Sequence, residues 1–416
     1  MDLSAFLLVF AIAACIYMAC NIGANDVANA MGTSVGSGTL TFKQAILIAA
    51  VAEFAGAFLV GGHVSNTIRK GMLDPLIFSD VPLHLVYGMI AALVASAIWL
   101  HMASYLGWPV STTHSIVGGV VGFAMMAGGM DAVNWGKVGQ VVLSWVVSPV
   151  MGGLCAYLIF RFITYQIFNR RNPLLYAKKL VPFIILVVCV ILTNSMFYKG
   201  LKHLHLDLPF WMAMGYAMMV GAVGFGITKV LMQRVQDVPR ENIHQQLVST
   251  EDIFKYLQVI TAFYVAFAHG SNDVANAVGP LAAVASILKS GTVQMKVEMP
   301  AWILALGGAC IVFGLLIWGR RVMMTIGSKI TEITPSRGFS AEFGAATVVL
   351  ICSKMGLPIS TTHTLVGSVI GVGLARGLPT LNLSIITKIV ISWISTVPFT
   401  AILSAVLFKI FLVVLG

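Results

Sequence analysis

The chain has 416 residues, of which 58% are hydrophobic and only 10% are charged. Soluble domains carry about 25% charged residues, so this composition excludes an ordinary soluble fold. The net charge of +10 does not indicate nucleic-acid binding, because lysine and arginine lie mainly in the predicted loops, as the positive-inside bias of membrane proteins requires.

Apolar runs long enough to cross a bilayer recur along the whole chain. Residues 3–20 are apolar without a preceding basic segment, which predicts a first helix and not a cleavable signal peptide. Further runs lie at residues 44–62, 83–106, 137–160, 180–198, 208–232, 299–319 and 384–415. A crossing needs about 20 apolar residues, so the pattern predicts an all-α polytopic membrane protein with about 10 to 12 transmembrane segments.

Two short polar strings each occur twice. Residues 23–30 (GANDVANA) return as residues 270–277 (GSNDVANA), and residues 109–114 (PVSTTH) return as residues 358–363 (PISTTH). The offsets are 247 residues (270 − 23) and 249 residues (358 − 109). Two unrelated strings that repeat in the same order at nearly the same offset indicate a duplicated unit. A polar break in each half of a membrane protein predicts broken or re-entrant helices at a central binding site.

The duplication divides the chain into three predicted parts. A first transmembrane repeat occupies residues 1–168, and a second occupies residues 253–416. Residues 169–252 between them hold two linker helices and a cytoplasmic loop, whose polar part lies at residues 233–252.

The distribution of basic residues predicts the orientation of the repeats. Clusters at residues 161–179 and 229–255 belong in the cytoplasm, whereas no Lys or Arg precedes Lys43, which predicts an N-terminus outside. The first repeat then begins outside and the second begins inside, which is an inverted-topology repeat. Both termini are therefore predicted on the extracytoplasmic side of the cell membrane.

The first string carries amide and carboxylate side chains in each repeat: Asn25, Asp26, Asn29, Asn272, Asp273 and Asn276. An ionised aspartate in mid-membrane costs about 2.5 to 3.5 kcal/mol on insertion scales, so these residues need a compensating partner. Asp26 and Asn29 are three residues apart and face the same side of a helix. Their oxygen atoms predict a site for a hard monovalent cation. The alternative is a buried polar network that only holds helices together.

The second string carries a hydroxyl triplet in each repeat: Ser111, Thr112, Thr113, Ser360, Thr361 and Thr362. Each triplet follows a proline and precedes a glycine-rich apolar run, which predicts the N-terminus of a helix. Free N–H groups, hydroxyls and the positive end of the helix dipole favour an anion there without any Lys or Arg. Ordinary N-capping is the alternative.

Two glutamates and two histidines are further candidates. Glu53 and Glu342 lie in apolar segments, and they are not repeat mates, because Glu342 corresponds to Leu93 at an offset of 249. Intramembrane glutamates predict cation binding or gating, with buried hydrogen bonding as the alternative. His114 and His363 follow the triplets and either fix the loop or take part in proton coupling. Four other histidines form no recognisable metal-ligand pattern: His101, His203, His205 and His269.

Both strings resemble the signature of the inorganic phosphate transporter (PiT) family. The resemblance extends over nearly the whole chain through residues 23–30, 32–38, 53–54 and 67–71 and both PxSTTH strings. It implies a phosphate symporter, usually a homodimer, in which the site comprises Asn25, Asp26, Asn272, Asp273 and the two hydroxyl triplets. The first string and residues 67–71 are more similar to the sodium-dependent branch. The central loop is shorter than that of eukaryotic members.

Sodium is accordingly the predicted coupling ion, and no other cofactor is predicted. The predicted sodium ligands are Asp26, Asn29, Glu53, Asp273, Asn276 and Glu342. Proton-coupled or metal-phosphate symport, sulfate as the substrate and a passive anion channel are the alternatives within transport. An intramembrane aspartyl or serine hydrolase is the alternative of another class, since paired aspartates or Ser with His can serve catalysis. The near-identical context of both aspartates favours a symmetric carrier.

Overall fold

The computed structural model describes residues 2–61, 72–73, 75–197, 209–239, 241–293, 299–354 and 359–415. The predicted motif at residues 67–71 and Pro358 lie outside these ranges, as does the side chain of Asn29. The described α-helices, in chain order, are α1 (Leu3–Gly36), α2 (Phe42–Val60), α3 (Pro82–Leu106), α4 (Thr112–Gly128), α5 (Trp135–Ile163), α6 (Pro173–Ser195), α7 (Phe210–Arg234), α8 (Ile243–Ser290), α9 (Ala301–Met324), α10 (Pro335–Lys354), α11 (Thr361–Arg376) and α12 (Leu383–Leu415).

The described part of the chain is almost entirely helical, with one isolated β-bridge between Leu73 and Val133. Among the described helices, eight are long and apolar enough to cross a membrane: α1, α2, α3, α5, α6, α7, α9 and α12. π-Helical turns extend α5 over Thr164–Phe168 and α9 over Thr325–Lys329. The prediction of a polytopic helical membrane protein is confirmed.

Helices of one half pack against helices of the other half in repeat-related pairs. Helix α1 packs against α9 and α2 against α8, while α4 packs against α12 and α5 against α11. Counting from the start of each half, α1 corresponds to α8, α2 to α9, α4 to α11 and α5 to α12. Each of these four contacts between halves therefore has a repeat-related counterpart, as an inverted repeat requires. The exact boundaries at residues 168 and 253 stay a prediction.

Glycines allow the closest of these contacts. A Cβ atom on Gly23 of α1 would overlap the carbonyl oxygen of Ile311 on α9, and one on Gly270 of α8 would overlap that of Glu53 on α2. Gly23 and Gly270 occupy the same position in the two copies of the first string. The backbones meet there because a side chain is absent.

The second strings lie where helices break. Helix α3 ends at Leu106 and is capped by Gly107, which has a φ of 72°. Helix α4 begins at Thr112 after a short loop. Helices α4 and α11 have 17 and 16 residues, fewer than the about 20 that a full crossing needs. These two short helices correspond to the predicted broken or re-entrant segments.

The middle of the chain forms two helices that pack on each other, α6 and α7. The polar connecting segment is shorter than the sequence predicts, because α8 already begins at Ile243. The Asn242 side chain caps this helix by accepting a hydrogen bond from the Gln245 backbone N–H at 3.1 Å.

Candidate functional site

The repeated aspartates lie inside continuous helices. Asp26 of α1 is 0% exposed, and Asp273 of α8 is 4% exposed. Neither helix unwinds at its string. The glycines therefore allow a neighbouring helix to approach closely, and they do not mark a break in the helix. The two helices pack directly against each other, which brings the aspartates of the two repeats into one buried cluster.

His269 joins this cluster to a third carboxylate. Its Nε2 lies 2.7 Å from Asp273 Oδ2 and 3.4 Å from Asp26 Oδ2. Its Nδ1 lies 2.8 Å from Glu53 Oε2. Three carboxylates of three helices thus surround one buried imidazole. The ligand atoms of Asp26, His269 and Asp273 lie within 4.8 Å of one another, which is compact enough to hold a cation.

His269 is not among the site residues predicted from the sequence, although a signal was present. His269 lies four residues before Asp273 and directly before the second copy of the first string. Residues four apart share one face of a helix, so His269 and Asp273 had to point the same way. The partner Glu53, by contrast, was predicted as a cation ligand and belongs to the cluster.

The threonines of each triplet contact the aspartate string of the opposite repeat. Thr362 Oγ1 donates a hydrogen bond to Asp26 Oδ1 at 3.1 Å. In the other direction, Asn276 Nδ2 donates to Thr112 Oγ1 at 3.1 Å and to Thr113 Oγ1 at 3.2 Å. Asn276 also donates to Asp273 Oδ1 at 3.3 Å. The four strings therefore form one polar centre between the repeats.

The serines of the triplets cap the short helices. Ser111 Oγ accepts a hydrogen bond from the His114 backbone N–H, and Ser360 Oγ accepts one from the His363 backbone N–H, both at 3.2 Å. Each serine thus satisfies one free N–H group at its helix N-terminus. Among the described residues, no acceptor is recorded for either serine hydroxyl hydrogen.

Asn25 and Asn272 have different surroundings despite their equivalent positions. Asn25 Nδ2 donates to the Trp108 carbonyl at 2.9 Å, and its Oδ1 accepts from the Val110 N–H at 3.0 Å. It therefore holds the loop before Ser111. Asn272 is half-buried and lines a cavity of about 40 Å³ together with His269 and Thr361.

Glu342 lies in a separate polar pocket. Its carboxylate accepts hydrogen bonds from Ser34 at 3.0 Å and from Gln258 at 3.3 Å. Thr33 and Thr261 donate to it as well, both at 2.5 Å. This buried carboxylate therefore has four hydrogen-bond donors from α1 and α8, and it does not join the His269 cluster.

The two histidines that follow the triplets pack against each other. The ring centroids of His114 and His363 lie 4.8 Å apart. His363 also stacks on Trp393 at 3.9 Å, and Trp393 Nε1 donates to the Pro109 carbonyl at 2.9 Å. These contacts favour the interpretation that the histidines fix the loops beneath the triplets.

A model of the phosphate transporter family matches residues 22–404. The chain belongs to this family. It is 49% identical over 397 residues to a protein of Pyrococcus horikoshii named as a phosphate permease, with 95% of this chain and 96% of the relative covered. It is 43% identical over 425 residues to the chloroplastic inorganic phosphate transporter 2-1 of Arabidopsis thaliana, with 96% and 71% covered.

A solved structure has the same fold. The sodium-dependent phosphate transporter matches with a TM-score of 0.88 at 41% sequence identity, and the match covers 99% of this chain and 100% of that chain. The resemblance to phosphate transporters is confirmed. Because the family and this structural relative are transporters, the hydrolase alternative is not supported.

Proposed function

We propose that this transporter is a secondary symporter that carries inorganic phosphate across the cell membrane together with sodium ions, by alternating access around the centre between its repeats. The observation that supports this most is the convergence of Asp26, Glu53 and Asp273 with the N-termini of two short helices. Cation and anion ligands lie side by side, so each ion lowers the electrostatic cost of binding the other.

The carboxylates supply the cation part of the centre. Three carboxylates face one imidazole, so even a protonated His269 leaves negative charge uncompensated. An excess of negative charge in a buried site is costly, and bound sodium ions would reduce that cost. We assign sodium to Asp26, Glu53 and Asp273 with Asn276 nearby, and a further sodium to the pocket of Glu342. From the sequence motif alone, we propose Asn29 as an additional ligand.

The short helices supply the anion part. Helices α4 and α11 begin at the triplets, so their free N–H groups, hydroxyls and dipoles favour a phosphate there. We assign the phosphate to Thr112, Thr113, Thr361 and Thr362 with Asn272, next to both aspartates. Ser111, Ser360 and Asn25 hold the two N-termini in place.

The aspartates also account for a preference for phosphate over sulfate. Phosphate near neutral pH keeps at least one proton and can donate a hydrogen bond to Asp26 or Asp273, whereas sulfate only accepts. With sulfate bound, the buried carboxylate would have no hydrogen-bond donor on the anion, and such a mismatch can favour phosphate over sulfate by about 10⁴-fold. A phosphate-bound structure with both carboxylates beyond hydrogen-bond distance of the anion would contradict this explanation.

The repeat-related glycine contacts support alternating access. If each half adopted the conformation of the other half, the transporter would open to the opposite side of the membrane, as in other inverted repeats. We further propose that the protein is a homodimer and that both termini lie outside the cytoplasm.

Phosphate uptake into proteoliposomes tests the coupling. We expect saturable uptake that follows an imposed sodium gradient at equal internal and external pH. A potassium gradient of the same size is the control, and equally fast uptake with potassium would contradict sodium coupling. Uptake that does not saturate would indicate a channel.

Proton coupling is the second candidate, and His269 is the observation that favours it. An imidazole among three carboxylates is a suitable proton acceptor. Uptake that follows a pH gradient in the absence of sodium would support this candidate.

A further inference from the structure

A second cavity, distinct from the polar centre, has a volume of about 320 Å³ and lies between α1, α3 and α9. Its polar lining comprises Asn21, His101, Ser104, Tyr105, Arg320 and Arg321. No carboxylate is among its described lining residues, in contrast to the polar centre.

The two arginines give this cavity an uncompensated positive charge. Neither guanidinium forms an ion pair within the described part of the chain. Arg321 is held in place, because its Nη1 donates to the Tyr105 carbonyl at 2.8 Å and its guanidinium stacks on the Tyr105 ring. Arg320 lies over the Phe42 ring at 5.8 Å. The charges are therefore positioned without being neutralised.

The chemistry of the cavity fits a phosphate group. A guanidinium offers five N–H donors in a planar arrangement that matches phosphate oxygens, and only one N–H of Arg321 is used by Tyr105. Asn21 is 1% exposed. Its Nδ2 donates to the Tyr17 carbonyl at 2.8 Å, while its Oδ1 is buried without a hydrogen-bond partner among the described residues. This oxygen can accept the O–H of a protonated phosphate.

One layer of side chains connects the cavity to the polar centre. Ser104 lines the cavity, and its Oγ accepts a hydrogen bond from Asn25 Nδ2 at 3.2 Å. Asn25 is adjacent in sequence to Asp26. We infer that this cavity, the arginine cavity, is a peripheral site where inorganic phosphate binds on its way to or from the centre. The inference rests on the proposed phosphate transport.

Phosphate binding in the absence of sodium tests this site. Radiolabelled inorganic phosphate is titrated onto the purified full-length Asp26→Asn variant in nanodiscs of zwitterionic lipid. This substitution weakens the central site, so the arginine cavity should dominate. We expect saturable binding that weakens as salt is added. The double variant Arg320→Gln/Arg321→Gln should bind phosphate about tenfold or more weakly, since it loses the charge-assisted hydrogen bonds of both guanidinium groups.

Three further variants separate binding from folding. Arg320→Lys/Arg321→Lys keeps the charge and should keep most of the binding. Asn21→Asp leaves both arginines in place but adds a carboxylate, so it should also lose binding. Arg171→Gln removes an exposed arginine that does not line the cavity and should bind as its parent does. Equal affinity in the double glutamine variant, or no binding without sodium, would overturn the inference.

A lipid headgroup carries the same phosphate chemistry and needs its own control. The titration is repeated in nanodiscs that contain an anionic phospholipid. An anionic membrane surface has a general electrostatic effect on phosphate binding. Once this effect is subtracted, we expect the affinity for inorganic phosphate to change by less than about threefold. Complete loss of binding would identify a headgroup site and overturn the inference. Uptake is measured separately with the wild-type protein. Sodium-independent phosphate binding with no sodium-driven uptake by the wild type would contradict only the proposed coupling. Normal wild-type uptake without this binding would contradict only the peripheral site.

Discussion

His269 Nδ1 lies 2.8 Å from the Glu53 carboxylate, where α8 crosses α2. In the repeat-related crossing of α1 with α9, two isoleucines take the places of this pair. Ile22 corresponds to His269 at an offset of 247 residues. Ile311 corresponds to Glu53 at an offset of 258 residues, which is also the offset between Gly56 and Gly314. Both isoleucines are fully buried. The two crossings share a backbone contact at glycine, but only one carries charge. The repeat is therefore symmetric in packing and asymmetric in electrostatics.

His269→Gln should reduce phosphate uptake by at least about tenfold, because a neutral side chain cannot compensate the carboxylates that face it. Loss of the positive charge of a protonated His269 leaves more negative charge to attract sodium. Half-maximal activation should therefore need less sodium, which a sodium-activation curve of uptake measures. His244→Gln is the matched control, since His244 is exposed near the start of α8. An unchanged activation curve for His269→Gln would show that the imidazole takes no part in the centre.

Asp26→Asn and Asp273→Asn should each abolish uptake and leave the thermal unfolding temperature within a few degrees of the wild type. A buried carboxylate is costly, so its removal need not destabilise the fold. The control Asp252→Asn breaks an exposed pair with Lys255 at 2.7 Å, and exposed pairs contribute only about 0–1 kcal/mol. Near-normal uptake by either variant at matched expression would contradict the assigned site.

Glu342→Gln should lower both stability and the apparent affinity for sodium. In the wild type, hydroxyl groups that include those of Thr33 and Thr261 donate hydrogen bonds to this carboxylate. The amide NH₂ of glutamine is itself a donor and cannot accept a hydrogen bond from a hydroxyl that it faces. Unmatched buried polar groups cost about 1–3 kcal/mol each. Thermal unfolding and the sodium dependence of uptake provide the two readouts. A loss of stability with unchanged sodium dependence would indicate that Glu342 only joins helices.

Gly23→Ala and Gly270→Ala should both impair folding and transport, since the added methyl group overlaps a carbonyl oxygen of the neighbouring helix. Gly215→Ala is the matched control, because a Cβ atom there meets no atom within 4 Å, and alanine in a helix stabilises by roughly 0.5–1 kcal/mol over glycine. Thermal unfolding of the purified variants measures the difference. Equal unfolding temperatures for all three variants would show that the helices can separate at little cost.

Much of the architecture was predictable from the sequence. Long apolar runs specify membrane helices because unpaired backbone groups are costly in lipid. The repeated strings predicted the duplication, and the distribution of basic residues predicted its inversion. The position of each triplet after a proline predicted the N-terminus of a helix, with Ser111 and Ser360 as caps. These features follow from local chemistry and can be recognised without knowing which helices touch.

The composition of the centre was decided by tertiary structure. Helix crossing joined Asp26 to Thr362 and Glu53 to His269, pairs that lie 336 and 216 residues apart. Packing likewise placed Glu342 in its own pocket and used Asn25 to hold a loop. A sequence gives the face of a helix on which a side chain lies, but the neighbour that meets this face depends on the packing of the whole bundle. His269 acquired its partners only through that packing.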